Sequence, residues 1–360
     1  MKKKLPFDHP PESVCILRLS ALGDVCNLVP VIRTLQTHWP ATRITWIIGR
    51  LESRLVGDIP GVEFIVFDKK AGLPGVLQLR KTLAGRRFSV LLHMQAALRA
   101  SLVSLVVPAT VRVGFHRSMA KDCQWLFTGA TTRALTHPHV VDGFFSFLET
   151  IGLPQRDLRW DIPLPEAARK TAERLLGELT AGYMVVSPCS SVRRRNFRNW
   201  PARKYARLID DAADRYQVPT VLTGGPGAGE GDMGRRIVAH CRHRPLNLIG
   251  RTDVKALLAV IAGARAVVSP DSGPVHLANA VGVPPVGLYA GSNPLRTGPY
   301  LHREWVVNVY PEAVRRRFGK SVDEIPWGKR VRDPDVVDLI RLADVSAKLD
   351  RVFAGRNNRL

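Results

Sequence analysis

The chain has 360 residues, of which 45% are hydrophobic and 23% charged, a composition typical of a globular protein and far from that of a disordered one. Lys and Arg number 53 against 31 Asp and Glu, so the formal net charge is +22 and the expected partner is anionic: nucleic acid, an anionic membrane surface or a strongly acidic substrate. The basic residues are spread through both halves, and zinc-finger spacing, basic-zipper heptads and RNP-like aromatic motifs are absent from the sequence, which weakens the nucleic-acid interpretation.

Cysteine usage and the N-terminus point to a reducing compartment. The cysteines are odd in number, widely spaced and never in a C-x-x-C pair, which argues against a disulfide framework and a thiolate zinc site; they are Cys15, Cys26, Cys123, Cys189 and Cys241. The first residues carry the positive charge of a signal peptide, but Pro, Asp and His replace its apolar core. No apolar run approaches the roughly 20 residues of a spanning helix, so we expect any membrane contact to be peripheral.

Strand-like and helix-like patterns alternate through the first half. Compact apolar runs predict strands at 14–19, 43–48, 62–67 and 88–93, and helical spacing at 25–37 follows the first of them. Strands that alternate with helices predict a mainly parallel sheet covered by helices. This pattern stops near 158–180, where Pro163 and Pro165 lead into a helix at 166–179, and we predict a domain junction there, with an N-terminal domain at 1–165.

The second half repeats the pattern. Strands are predicted at 183–187, 219–223, 266–269 and 286–289, with helices at 201–216, at 254–262 and after Gly273. This predicts a second domain at 180–335, so the fold class is α/β, with two doubly wound Rossmann-like domains. Because ligands of such sheets collect beyond the carboxyl ends of the strands, two facing domains would place a site in a cleft between them. A last amphipathic helix at 336–355 is interpreted as a plain core helix, with packing against the N-terminal domain as the alternative.

The segment from Asp271 to His276 has the build of an anion site. A short buried strand, a tight turn with Ser272 or Gly273 as cap and a helix that begins near Pro274 would leave backbone N–H groups pointing outward, where the helix dipole attracts phosphate or carboxylate. The alternative interpretation is an ordinary strand-turn-helix corner with a capping side chain.

A carboxylate follows the first strand. Asp24, in the loop 20–24, is either a helix cap, which stabilises by about 1 kcal/mol, or a general base at a strand end. No G-x-G-x-x-G fingerprint follows the first strand, and the nearest match at 225–229 is weak, so a hydride-transfer enzyme is disfavoured.

Four motifs together carry a family resemblance. These are ILRLSALGDV at 16–25, FRNWP at 197–201, VLTGG at 221–225, and the stretch from DSGPVHL at 271–277 through YAGSNP at 289–294. In this order and spacing they resemble the bacterial ADP-heptose lipopolysaccharide heptosyltransferases, glycosyltransferase family 9. The resemblance implies a GT-B fold, an acceptor bound by the N-terminal half, ADP-heptose bound by the C-terminal half, inversion at the anomeric carbon, and no requirement for a metal or other cofactor.

The resemblance also implies roles for single residues. Asp24 aligns with the proposed general base, and the residues expected to hold the nucleotide sugar are Ser190, Ser191, Arg198, Glu230, Thr252, Asp271, Ser272, Gly273 and His276. Lys255 is a weaker candidate beside Thr252. Arg198 stands where relatives commonly carry lysine, which keeps the charge but offers a planar fork, and Asn293 stands where relatives often carry Asp.

The acceptor side is expected between the first strands and the junction. The implied acceptor is the Kdo-lipid A or heptosylated inner core of lipopolysaccharide, and its anionic groups would meet Gly23, Arg99, Arg112, His116, Arg117 and Lys121. A basic, partly apolar face there would also hold a cytoplasmic enzyme to the anionic inner face of the inner membrane, without any nucleic acid. Two alternatives stay open: a GT-B enzyme with another nucleotide sugar or acceptor, and a basic, non-enzymatic nucleic-acid-binding protein.

Overall fold

A computed structural model describes residues 5–179, 182–190 and 197–354. The chain divides into two compact units, Met1–Pro163 and Leu164–Leu360, at a point inside the segment where the sequence predicts a junction.

The first unit is a six-stranded sheet in which all neighbouring strands are parallel. Its strands are β1 (Ser13–Leu17), β2 (Arg43–Gly49), β3 (Val62–Phe67), β4 (Phe88–His93), β5 (Ala109–Gly114) and β6 (Ala130–Thr131). Its helices are α1 (Leu22–His38), α2 (Arg50–Val56), α3 (Gly72–Thr82), α4 (Leu98–Ser104) and α5 (Val140–Ile151), with a 3-10 turn at Gln124–Phe127. All residues of β1 and β4 are buried, as expected for central strands covered on both faces.

The second unit is also a parallel six-stranded sheet. Its strands are β7 (Met184–Val186), β8 (Thr220–Leu222), β9 (Leu246–Asn247), β10 (Ala266–Pro270), β11 (Pro285–Tyr289) and β12 (Val307–Asn308). Its helices are α6 (Glu166–Leu176), α7 (Ala202–Tyr216), α8 (Ala228–His240), α9 (Val254–Ala262), α10 (Gly273–Ala280), α11 (Pro294–Thr297), α12 (Tyr310–Phe318) and α13 (Leu342–Ala354), with 3-10 turns at Arg303–Trp305 and Pro334–Leu339.

Both sheets have the same strand order. The first runs β3-β2-β1-β4-β5-β6, and the second, from its β9 edge, runs β9-β8-β7-β10-β11-β12. Counted from the start of its unit, each order is 3-2-1-4-5-6. The order reverses between β1 and β4 in one sheet and between β7 and β10 in the other. In doubly wound sheets ligands bind at this switch point, beyond the carboxyl ends of the two strands. We therefore expect a ligand at segments 18–24 and 93–95 in the first unit, and at 187–190 and 271–276 in the second.

The predicted elements are largely confirmed. The strands predicted at 62–67 and 88–93 match β3 and β4, and the helix predicted at 254–262 matches α9. The prediction of a single helix at 336–355 is wrong: the structure has a 3-10 turn at Pro334–Leu339 and a separate α13. The buried residues of α13, Val345, Leu349, Val352 and Phe353, belong to the core of the second unit together with residues of α7 and β11, as the core-helix interpretation predicts.

Two further findings bear on the expectations from composition. No helix in the described part of the chain is long and apolar enough to cross a membrane. The five cysteines, all within the described residues, form no disulfide, and burial raises the pKa of the Cys15 and Cys26 thiols far above the usual range, which leaves them unreactive as nucleophiles.

Candidate active site

The turn between β1 and α1 is held from the neighbouring strand β4. Gln95, two residues beyond the end of β4, accepts hydrogen bonds through Oε1 from the N–H groups of Leu19 (2.7 Å) and Ser20 (3.3 Å). From the other side, Lys69 donates through Nζ to the Leu19 carbonyl at 3.2 Å and pairs with the buried Glu52 at 2.9 Å. The turn that leads to Asp24 is therefore fixed by side chains from two other loops at the same edge of the sheet.

Asp24 is the third residue of α1 and forms an ion pair with Arg18 through Oδ2. The same oxygen accepts the Ala21 N–H at 3.5 Å, a long contact, so Asp24 also lies in a capping position. One third of its side chain (33%) is exposed, and Oδ1 has no hydrogen-bond partner among the described residues. Asp24 is thus a capping residue with one anchored oxygen and one accessible oxygen, and its role as a general base stays a prediction.

Arg18 is anchored as firmly as the carboxylate that it holds. Its Nη1 donates to the Met94 carbonyl at 2.6 Å, and its guanidinium lies over the Phe144 ring at 5.2 Å. Only 11% of the side chain is exposed. A buried, doubly fixed arginine holds its partner in one orientation, because the planar fork leaves little rotational freedom.

His93 ends β4 and lies beside Leu17 in the sheet register. It is fully buried; its Nε2 is 3.0 Å from Ser101 Oγ, and its Nδ1 has no partner among the described residues. Burial first, and then the charges of Arg112 and Arg18, lower the pKa of His93 to about 4, so the ring is neutral at neutral pH.

Among the predicted acceptor residues, Arg112 hydrogen-bonds to backbone carbonyls of its own unit. Its Nη1 and Nη2 donate to the carbonyls of Ser104 (2.8 Å) and Val107 (2.9 Å), which closes the C-terminal end of α4. Burial lowers the pKa of this guanidinium. Arg112 thus stabilises the loop after α4, where Nη1 and Nη2 each make one hydrogen bond to the backbone, and its role in acceptor binding stays a prediction.

The other acceptor candidates lie at the surface or near it. Arg99 is exposed and donates through Nη1 to the Lys69 carbonyl at 3.3 Å. His116 contacts Ser118 Oγ through Nδ1 at 3.0 Å, and Arg117 lies over the Trp125 ring at 5.6 Å. Lys121 is exposed in the same loop, and Gly23 is half-buried in the first turn of α1. Whether they bind an acceptor stays a prediction.

In the second unit, Ser272 is the N-cap of α10 and Gly273 its first residue. The Ser272 side chain makes no capping bond and instead lies 2.8 Å from Ser269 Oγ, while Pro274 at the second position has no N–H to lose. The amides of Gly273 and Val275 therefore have no partner within the helix, as in any first turn. This is the geometry that the anion-site interpretation predicts, with the helix starting one residue earlier than expected.

The cation beside this helix start is Arg198. Its Nη1 donates to the Asp271 carbonyl at 2.8 Å and to Asp271 Oδ2 at 3.3 Å, with 16% and 9% of the two side chains exposed. Ser292 Oγ also donates to Asp271 Oδ2 at 2.7 Å. Asp271 thus links Arg198 and the loop before α11 to the start of α10 through hydrogen bonds.

Ser190 lies on the opposite side of the second switch point. It is buried, and both its N–H (2.9 Å) and its Oγ (3.0 Å) donate to Asn199 Oδ1. The sequence interpretation missed Asn199, although it stands next to Arg198 in the FRNWP motif. The predicted Ser191 lies outside the described residues.

The remaining donor candidates lie at helix starts after the other strands. Glu230, in the first turn of α8, accepts the Gly225 N–H through Oε2 at 2.7 Å. A Cβ on Gly224 would come within 2.8 Å of the same oxygen, so a side chain there would displace the Glu230 carboxylate. Thr252 and Lys255 are half-buried around Asp253, which caps α9 by accepting the Ala256 N–H.

His276 and Asn293 complete this region. His276 is the fourth residue of α10 and is buried. Asn293, where an Asp was expected from the resemblance, caps α11 by accepting the Leu295 N–H at 3.0 Å; its buried Nδ2 has no partner among the described residues. No group of three or more His, Cys, Asp or Glu side chains in the described part of the chain is placed to hold a metal ion.

Several solved structures share this fold. The glycosyltransferase family 9 protein of Veillonella parvula superposes with a TM-score of 0.77 at 21% identity, covering 96% of this chain and 98% of that one. The Escherichia coli heptosyltransferase WaaC, solved with ADP, gives 0.71 at 17% identity, with 94% and 99% covered. The two parallel α/β units therefore have the GT-B fold, as the sequence predicts.

Sequence comparison defines the family. The model of glycosyltransferase family 9 (heptosyltransferase) matches residues 76–324. The lipopolysaccharide core heptosyltransferase OpsX of Haemophilus influenzae is 37% identical over 346 residues, which cover 96% of this chain and 98% of that protein. The chain belongs to glycosyltransferase family 9 and is a glycosyltransferase of the heptosyltransferase type, which confirms the predicted resemblance.

Proposed function

We propose that this protein transfers heptose from ADP-heptose to the Kdo or heptose inner core of lipopolysaccharide, with inversion at the anomeric carbon and with Asp24 as general base. The observation that carries the proposal is the end-to-end similarity to a lipopolysaccharide core heptosyltransferase. The accessible Oδ1 of Asp24, at the switch point of the first sheet, is where a base would be expected.

The chemistry needs one carboxylate. As the acceptor hydroxyl oxygen bonds to the anomeric carbon, Asp24 Oδ1 takes its proton, and the bond from that carbon to the diphosphate oxygen breaks on the opposite face of the sugar. The electron pair of the broken bond leaves with ADP. Arg18 keeps Oδ2 engaged, so that Oδ1 faces the ligand in one orientation.

The negative charge that develops on ADP must be balanced by fixed donors. The second unit offers the first-turn amides of α10, the Arg198 guanidinium beside them and the buried His276. The E. coli relative named above was solved with ADP, which supports the nucleotide assignment. In this proposal these groups supply the charge balance without a divalent ion.

We place the reaction at the cytoplasmic face of the inner membrane. The proposed acceptor is a lipid with phosphate and carboxylate groups, and the net charge of +22 favours binding to such a surface.

The test is an assay of ADP release with purified protein, ADP-heptose and a Kdo-bearing acceptor, with ADP-glucose and UDP-glucose as competing donors and with and without a chelator. We expect turnover with ADP-heptose only, an NMR signal for the inverted anomer in the product, and no effect of the chelator. Faster turnover with another nucleotide sugar would favour the alternative GT-B donor, and a retained anomeric configuration would rule out the single-base mechanism.

A further inference from the structure

One side of the first unit exposes an unusual number of leucines. Exposure of the side chains ranges from 49% at Leu77 to 74% at Leu126, and the set, here called the leucine patch, is Leu73, Leu77, Leu98, Leu102, Leu105 and Leu126. Single exposed leucines are ordinary, but a group of large exposed apolar residues marks an interaction surface.

The members of the leucine patch lie on neighbouring elements. Leu98, Leu102 and Leu105 follow each other at helical spacing on one face of α4 and its last turn. The 3-10 turn that carries Leu126 packs on α4, and the loop before it is tied to the start of α4 because Asp122 Oδ2 accepts the Leu98 N–H at 3.1 Å. Leu73 and Leu77 lie one turn apart on α3.

Helices α3 and α4 cover the same face of the first sheet. Leu79 of α3 and Val103 of α4 are buried in one core cluster with sheet residues such as Leu17 and Leu91. The outward sides of the two helices therefore belong to one surface of the unit, with the leucines directed away from that core.

Positive charge predominates around the leucine patch, where Asp122 is an acidic residue and accepts the Leu98 N–H. Residues 69–121 contain ten Lys or Arg and no Asp or Glu. Arg80 and Lys81, in the last turn of α3, and Arg117 have no carboxylate partner among the described residues. The Arg117 guanidinium lies over Trp125, an aromatic residue of the type that collects at membrane interfaces.

From this surface we propose that the leucine patch is a membrane-docking site, which inserts into the head-group region of an anionic bilayer while the surrounding Lys and Arg bind its phosphates. A second copy of the chain would bring two basic surfaces together, which is unfavourable, and a nucleic acid would leave the leucines unused. Apolar side chains with a basic rim are what an anionic lipid surface recognises. The inference deepens the membrane location proposed above, but its test requires no catalysis.

The first experiment measures binding of the purified protein to vesicles of phosphatidylethanolamine and phosphatidylglycerol by co-sedimentation, with phosphatidylcholine vesicles as the neutral reference. We expect L102D/L105D to weaken binding to the anionic vesicles by about tenfold or more, because two apolar contacts are replaced by charges that the surface repels. The matched control is L51D: Leu51 lies on α2, is exposed at 51% compared with 52% for Leu98, and should weaken binding far less.

The second experiment tests the Lys and Arg residues around the leucine patch. R80E/K81E should weaken binding to anionic vesicles and flatten its salt dependence, whereas R315E/R316E, the same charge change on α12 of the second unit, should leave both nearly unchanged. The more exposed Leu126 gives an independent apolar variant, L126S, should L102D/L105D fail to fold by circular dichroism.

Heptosyl transfer to a soluble acceptor fragment separates this inference from the proposed function. We expect L102D/L105D to keep that activity while losing vesicle binding. If neither the wild type nor the variant transfers heptose, only the proposed function is contradicted. The docking site is overturned if the leucine variants bind vesicles as the wild type does, if L51D weakens binding equally, if the variants change only the oligomeric state, or if the same variants weaken binding to duplex DNA and not to vesicles.

Discussion

The two switch points of this molecule share one topology and differ in chemistry. In the first unit the space beyond β1 and β4 holds an ion pair, Arg18 with Asp24, and a neutral buried His93. In the second unit the space beyond β7 and β10 holds the start of α10, small hydroxyl side chains and Arg198. Both sheet edges thus carry an arginine–aspartate ion pair, but one third of the Asp24 side chain is exposed, whereas Asp271 is 9% exposed and lies at the start of α10 with its first-turn amides. From the topology we expect ligands beyond the strand ends, and the side chains there predict which charge a ligand carries.

The largest expected effect falls on the first switch point. Asp24→Asn should lower kcat about 10³-fold, equivalent to about 4 kcal/mol, because the amide cannot take the hydroxyl proton. ADP affinity, measured by calorimetry, should stay within about twofold, since nucleotide binding is assigned to the second unit. Asp8→Asn, at an exposed carboxylate of the same unit, is the control. Equal turnover of the Asp24 and Asp8 variants would refute the base assignment.

The second prediction concerns the buried His93. Its pKa in the folded protein is about 4, below the ordinary value of about 6.5, so between these values the unfolded chain takes up a proton that the folded chain excludes. The free energy of unfolding should therefore fall as the pH is lowered from about 6.5 to about 4, with His93 contributing about 3 kcal/mol of that loss. His93→Gln keeps an amide for Ser101 and should show a flatter dependence on pH in urea denaturation. An unchanged slope in the variant would show that His93 is not the group that titrates.

Arg198 tests the cation of the second switch point. Arg198→Ala should weaken ADP binding about 100-fold in calorimetry, because it removes a charge from the proposed diphosphate site and leaves the Asp271 carboxylate without its ion-pair partner. Arg198→Lys should restore part of the affinity. Arg203→Ala, at an exposed arginine of α7, should have no effect. If the Ala variant of Arg198 binds ADP as the wild type does, the pair with Asp271 has a structural role only.

The smallest effect is expected at His276. His276→Ala should weaken ADP binding about tenfold, the loss of one hydrogen bond to a charged group, and leave the affinity for acceptor unchanged. A change confined to acceptor binding would assign this residue to the other substrate and blur the division between the two units.

The sequence predicts what is local and misses what is assembled from distant segments. The strands, the helices that follow them and the corner at Ser272 follow from hydrophobic spacing and turn residues within a few positions. The hydrogen bond from the Leu19 N–H to Gln95 joins residues 76 positions apart, and the one from Ser292 to Asp271 joins residues 21 positions apart. Both form because parallel strands end at the same edge of a sheet. Arg112 is a second example: its sequence position suggests an anion site, whereas its hydrogen bonds to the Ser104 and Val107 carbonyls are visible only in the folded loop.

The tie between Asp122 and the first turn of α4 has a geometric consequence. The loop that carries His116, Arg117 and Lys121 is joined by this hydrogen bond to the helix that carries much of the leucine patch. A protein seated on a bilayer by that helix holds the loop at a set height above the lipid head groups. The enzyme would then act as a ruler, selecting the sugar of a membrane-anchored acceptor by its distance from the membrane as well as by its chemistry.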